Sequence, residues 1–248
     1  MQKKYLLPVL LALLMLLGGC RAQAQPAQIA ATTLPVYEFT SRLCEGTPLT
    51  VTRLVTESVS CLHDYSLNVR QVKAAEAAQV VVISGAGLED FLDGILDDSD
   101  IVDSSDGIAL LHADEEHDHG HEDHHHEDDP HIWLSPENAK IMAWDICAGL
   151  SKRYPEYADT FSANLDGLLE DLDALQSYGE SSLSNLKCRE LVTFHDGFSY
   201  FAQAFDLTIL EAVEEESGSE ASAQELKHLI GVVRENDLPA IFTERNGS

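Results

Sequence analysis

The sequence predicts an α/β protein made of two strand–helix segments with one long helix between them. Short β-branched runs alternate with helical patterns over residues 29–96 and again over 187–243, the signature of parallel sheets with crossover helices. Residues 79–84, Gln-Val-Val-Val-Ile-Ser, form the continuous apolar run of a strand buried on both faces. Residues 156–186 contain no proline and no strand pattern, and their apolar positions recur at spacings of three and four.

The elements follow in order. Residues 29–33 read as a short strand. Pro35 suits the first turn of a helix running to about Glu45. Residues 49–55 alternate and are rich in β-branched side chains, so they read as a strand. Residues 68–78 are helical, with Val69, Val72 and Ala75 on one face. After the strand at 79–84, Gly85-Ala86-Gly87 leads into an expected helix over 88–96. Ser135 and Pro136 are a good N-cap and first helical residue. The helix they open reaches Tyr154, with Ala139, Met142, Ala143, Ile146 and Leu150 on one stripe. In the long helix the stripe is Tyr157, Phe161, Leu165, Leu168, Leu172 and Leu175. The second segment reads as strand 190–194, helix 198–205, strand 207–213, helix 222–236 and strand 240–243.

The first residues are a different matter. Lys3 and Lys4 precede an apolar stretch over 5–17 that is short for a bilayer span. Leu17-Gly18-Gly19-Cys20 closes it. Residues 1–19 therefore read as a secretory signal, and the ending resembles a bacterial lipobox. That resemblance implies cleavage before Cys20, lipid on its sulfur, and a lipidated tether over 20–28. Export leaves Cys44, Cys61, Cys147 and Cys188, an even number that permits two disulfides. Three pairings are open, and no CxxC pair suggests a thiolate zinc site.

Charge narrows the partners. The 248 residues carry 15 Lys plus Arg against 43 Asp plus Glu, a net charge of −28. Such a surface repels nucleic acid and anionic lipid headgroups and attracts cations. Residues 112–130 concentrate that character, with seven His and nine Asp or Glu in nineteen positions. No core forms from such a composition, so a loop is expected. Its His117, His119, His121, His124, His125 and His126 suit a weak, multivalent metal collector; a solvated acidic loop is the plainer reading.

Three histidines stand outside that cluster. His63 lies in a loop after the strand at 49–55. His131 lies in Asp129-Pro130-His131-Ile132-Trp133-Leu134. His195 ends the strand at 190–194. Ligands in open α/β sheets bind at the carboxyl ends of strands, and imidazoles gathered there suit Zn²⁺. A lone histidine at such a place is usually structural; the combination carries the weight. Glu244 follows the last strand, and His228 reads as a surface residue of its helix.

In combination the motifs resemble the zinc and manganese solute-binding lipoproteins of bacterial ABC importers, the ZnuA-like family. His63-Asp64-Tyr65, the segment 81–89 with its Gly87-Leu88-Glu89 ending, the segment 129–136, and Phe194-His195-Asp196-Gly197-Phe198-Ser199-Tyr200-Phe201 occur in the family's order. The resemblance covers residue 29 to the end. It implies an N-terminal lobe over 29–155, a rigid linker helix over 156–186 and a C-terminal lobe over 187–248. A metal is then held in the cleft by His63, His131 and His195. Members with a third histidine mostly take zinc, while a carboxylate there goes with manganese; imidazole softness also favours Zn²⁺ over Mn²⁺. The implied role is extracytoplasmic zinc capture by a monomer anchored to the membrane, which delivers its ion to a permease with a cytoplasmic ATPase. No catalysis is expected. A zinc hydrolase is the alternative from another class, since three histidines with an open position also serve catalysis, yet no HExxH or nucleophile motif is present. An adhesin or metal-buffering surface protein would reuse the same site. Arg245-Asn246-Gly247-Ser248 resembles a turn into a further helix, and family members continue for another strand–helix pair or two, supplying a carboxylate near the metal. The second lobe is therefore expected to be incomplete.

Overall fold

The computed structural model describes residues 28–56, 62, 65–96, 101–112, 128–214 and 222–242. Cys20, Cys61, His63, Glu244 and the loop histidines from His117 to His126 lie outside the described residues. Among the described residues, no helix is long and apolar enough to cross a membrane.

The first unit is a four-stranded, fully parallel sheet: β1 (Ile29–Ala31), β2 (Val51–Arg53), β3 (Val80–Ile83) and β4 (Ile101–Asp103), in the order β2-β1-β3-β4. Side chains alternate between faces along each strand. Ile29, Ala31, Val80 and Val82 enter one core, while Ala30 and Val81 enter another with Leu54, Ala75 and Leu92. Helices α1 (Leu34–Leu43), α3 (Pro136–Arg153) and α4 (Ala158–Leu183) contribute to the first core, and α2 (Val69–Ala77) to the second. The double coverage explains why the sequence over 79–84 is apolar without interruption.

The helix starts are specified locally. Asn68 accepts the Arg70 and Gln71 N–H groups, and the Gln71 side chain returns to the Asn68 N–H, completing a capping box. Ser135 caps α3, with Pro136 in its first turn. The expected α3 stripe is buried in full: Ala139, Met142, Ala143, Ile146 and Leu150 are each at most 3% exposed. Each large member removed from water contributes about 1.5–3 kcal/mol.

Helix α4 is 26 residues long, or about 39 Å at 1.5 Å per residue. Phe161, Leu165, Leu168 and Leu172 bury against the first core. Leu175, expected on the same stripe, is 52% exposed, because the last two turns run past that core. There Gly179 meets the ring of Phe205 instead, which brings the second unit against the helix.

That second unit holds β5 (Glu190–His195) parallel to β6 (Thr208–Glu214), with α5 (Ser199–Ala204) between them and α6 (Ala223–Glu235) after. The expected strand at 240–243 appears as a single parallel bridge, Thr193 to Phe242, on the other side of β5. Val192, Leu229 and Leu238 form its small core.

One further expectation is corrected. Residues 88–96 do not form an α-helix; only Asp90–Leu92 makes a 3₁₀ turn. Gly85 and Gly87 have positive φ before it and Gly94 has positive φ after it, so the helical ladder cannot propagate. Among the described residues Cys44, Cys147 and Cys188 are free thiols, so none of them forms the disulfides that the even cysteine count permits. Burial pushes the Cys44 thiol up to about 12, which leaves it inert as a nucleophile.

Candidate metal centre

His131 and His195 arrive from different units and meet. β5 delivers His195 at its carboxyl end, and the turn between residue 128 and α3 delivers His131. Each is 6% exposed. Their Nε2 atoms are 3.1 Å apart, with the rings edge to face at 78°. Two nitrogens each about 2.0–2.1 Å from one tetrahedral ion stand about 3.3 Å apart. The pair therefore has the spacing of two ligands to one metal.

Asp129 sets the ring of His131. Its Oδ1 accepts the backbone N–H of His131 at 2.9 Å and lies 2.8 Å from Nδ1. With the proton held on Nδ1, the lone pair sits on Nε2 and faces His195. This carboxylate–histidine arrangement is the usual support of a metal ligand. Sequence reasoning did not single out Asp129. The available signal was its position two residues before a candidate ligand.

Space at the two Nε2 atoms depends on Gly197. A Cβ there would stand 2.9 Å from His195 Nε2 and 3.0 Å from His131 Cε1, inside normal carbon contact distance. The absence of a side chain at 197 keeps the Nε2 edge of the pair open.

Glu89 buttresses the carboxyl ends of β1 and β3. Its Oε1 accepts from Thr32 Oγ1 (2.6 Å) and the Ser84 N–H (2.8 Å), and its Oε2 accepts from the Gly85 N–H (2.9 Å). Burial pushes its carboxyl up to about 7, opposed by the three hydrogen bonds. Gly85, at φ +85°, is required on two counts, since a Cβ would also overlap Asp103 Oδ1 at 2.0 Å.

Among the described residues, no group of three or more His, Cys, Asp or Glu converges as a metal site. The third expected ligand, His63, lies outside those residues. Leu62 shares a small core with Val55 and Leu88, against which Tyr65 and Trp133 pack. The Trp133 ring stands 5.4 Å from the His131 ring, so this small core, with Leu62 and Tyr65, packs beside the pair. His228 is far from this chemistry in character: its side chain is 64% exposed and lies 3.5 Å from Glu211.

A family model described as ZnuA, the periplasmic component A of a zinc-uptake complex, matches residues 29–248. The chain belongs to this family. Its members are solute-binding components of uptake systems rather than enzymes. The zinc-binding lipoprotein AdcA of Streptococcus pneumoniae is 33% identical over 244 residues, covering 94% of this chain and 48% of that protein. A putative metal-binding protein of Treponema pallidum is 27% identical over 265 residues, covering all of this chain and 83% of its own. The chain thus spans about half the length of the AdcA relatives it matches. In three dimensions it resembles the crystal structure of ZnuA, with TM-score 0.77 and 31% identity over 90% of this chain and 84% of that one. It also resembles Zn(II)-bound AdcA from Streptococcus pneumoniae, with TM-score 0.74 and 29% identity over 90% and 47% of the two chains. The family membership and these likenesses agree with the expected α/β architecture.

Proposed function

We propose that this chain captures Zn²⁺ outside the cytoplasmic membrane and hands it to the permease of an ABC importer, whose ATPase powers uptake. The observation that carries the reading is the 3.1 Å approach of His131 Nε2 to His195 Nε2 across two units. His63 completes the ligand set. Neutral imidazoles favour Zn²⁺ over the harder Mn²⁺. No covalent step is involved: the units 29–155 and 187–248, joined by the helix 156–186, hold the ion between them. The His-rich insert collects metal weakly beside the tight site, and lipid on Cys20 keeps the monomeric carrier at the membrane. Membership in a zinc-uptake family and the zinc named in the AdcA and ZnuA relatives support the choice of cargo.

The test is competition for Zn²⁺ against a chromophoric chelator. Alanine at His63, His131 or His195 is expected to weaken binding at least tenfold, or about 1.4 kcal/mol. Unchanged affinity in all three variants would overturn the shared site. Labelling with a fatty acid tests the anchor, with the label lost in Cys20→Ala.

A further inference from the structure

The histidine pair is a polar contact between the second unit and the turn bearing His131. Another is made by Tyr200, on α5, a residue 1% exposed. Its hydroxyl donates to the Asp129 carbonyl at 3.0 Å and accepts the Leu111 N–H at 2.9 Å. Leu111 and Asp129 are the two feet of the His-rich insert. They are bonded to each other, with the Asp129 N–H donating to the Leu111 carbonyl at 2.8 Å, and His112 pairs with Asp128 one step further out. One phenol therefore grips both strands of the stem.

The same contacts close a circuit through the metal ligands. Tyr200 holds the Asp129 backbone. The Asp129 carboxylate holds the His131 ring at Nδ1. His131 Nε2 faces His195 Nε2, and His195 lies five residues before Tyr200 in the same unit. Every link is short and every member of the circuit is buried or partly buried, so the geometry of one contact constrains the other. The hydroxyl is also expensive to lose: without it, the part-buried Leu111 N–H has no acceptor from α5.

We propose that Tyr200 is a positioning residue for the metal site, holding His131 in register with His195 by fastening the stem of the insert to α5. The inference rests on the zinc-site reading above. It assigns the tyrosine no contact with metal. It also makes the stem, rather than the insert between its feet, the part of the loop on which the tight site depends.

Tyr200→Phe keeps the ring and removes only the oxygen. In the full chain, chelator competition is expected to show Zn²⁺ binding weakened about tenfold. A merely structural tyrosine would act alike in any background, so the deciding measurement repeats the substitution on His131→Ala. With the positioned ligand gone, Tyr200→Phe is expected to change zinc affinity less than twofold. Equal losses in both backgrounds would overturn the proposal, as would unchanged affinity in the single variant. A Tyr200→Phe chain that does not fold, judged by circular dichroism, would make the hydroxyl a folding requirement and overturn it as well. If His131→Ala itself binds zinc like the parent, the place of His131 in the zinc site fails first, and the two failures are distinguishable.

Discussion

Asp129 Oδ1 takes both N–H groups that His131 presents to it, the backbone amide at 2.9 Å and Nδ1 at 2.8 Å. One oxygen thereby fixes the place of the residue and the tautomer of its ring. Asp129→Ala is expected to lower zinc affinity about 10–100-fold, the usual cost of losing a ligand's carboxylate partner. Asp129→Asn, which keeps an acceptor oxygen, should recover part of the loss. Chelator competition on the two variants checks the order; equal affinity in parent and alanine variant would remove Asp129 from the site.

Gly197 gives an independent test of the same edge. Gly197→Ala places a methyl group 2.9 Å from His195 Nε2, so one imidazole must turn away or the turn must shift. Zinc affinity is expected to fall at least tenfold while the apolar cores, which do not include residue 197, hold the melting temperature nearly constant. Parent-like affinity would show that the rings yield without cost.

Removal of residues 113–127 should separate collection from capture. The stem is closed by the Leu111–Asp129 and His112–Asp128 contacts, so its feet are already adjacent and a short Gly-Ser link can join them. The tight site is expected to survive, and the zinc bound at high metal concentration to drop by the weaker equivalents. Loss of tight binding would place the insert within the primary site. Isothermal titration resolves the two classes.

Asp145, on α3, predicts a pH dependence that has no part in metal binding. Burial first, and then the nearby Asp106 and Asp103 charges, raise its carboxyl to about 6 from an ordinary value of 3.8. The folded state then holds the proton more tightly than the unfolded chain. Whatever stability this contributes is present below about 3.8 and is lost as pH rises through about 6. Asp145→Asn is expected to raise the melting temperature at pH 7 and to leave it unchanged near pH 4. Each 1 kcal/mol recovered is worth about 2–4 °C in a chain of this size. Glu89, raised to about 7, gives the parent protein a second contribution of the same sign over a window reaching higher in pH.

What the sequence disclosed depended on how local each cause was. The strand at Val80–Ile83 and the stripe of α3 were legible because burial writes itself directly into composition and period. The cap at Ser135 was legible for a similar reason, since cap and helix are neighbours in the chain. Leu88 and Leu92 also carried a helical spacing, yet the Glu89 carboxylate folds back onto the Ser84 and Gly85 amides and flanking glycines take positive φ. Periodicity alone does not see that competition. Leu175 continued a stripe whose partner surface had ended. The contacts of Tyr200 were hidden for a different reason. Tyr200 meets Leu111 across 89 positions of sequence, and nothing in either segment announces the other.

The placement of β5 has a mechanical consequence. It is hydrogen-bonded on one side to β6 and on the other to Phe242, which donates to the Val192 carbonyl while its own carbonyl accepts the Phe194 N–H. The backbone that presents His195 is thus laced along both borders, whereas His131 rides on a turn outside any sheet, held by isolated backbone bonds such as Asp129 N–H to the Leu111 carbonyl and by side-chain contacts. Amide exchange should report this asymmetry, slow along the strand and faster around the turn. On the zinc-site reading, the cleft has one jaw built from a sheet and one built from a turn, and the turn is the one joined to the acidic, histidine-laden insert.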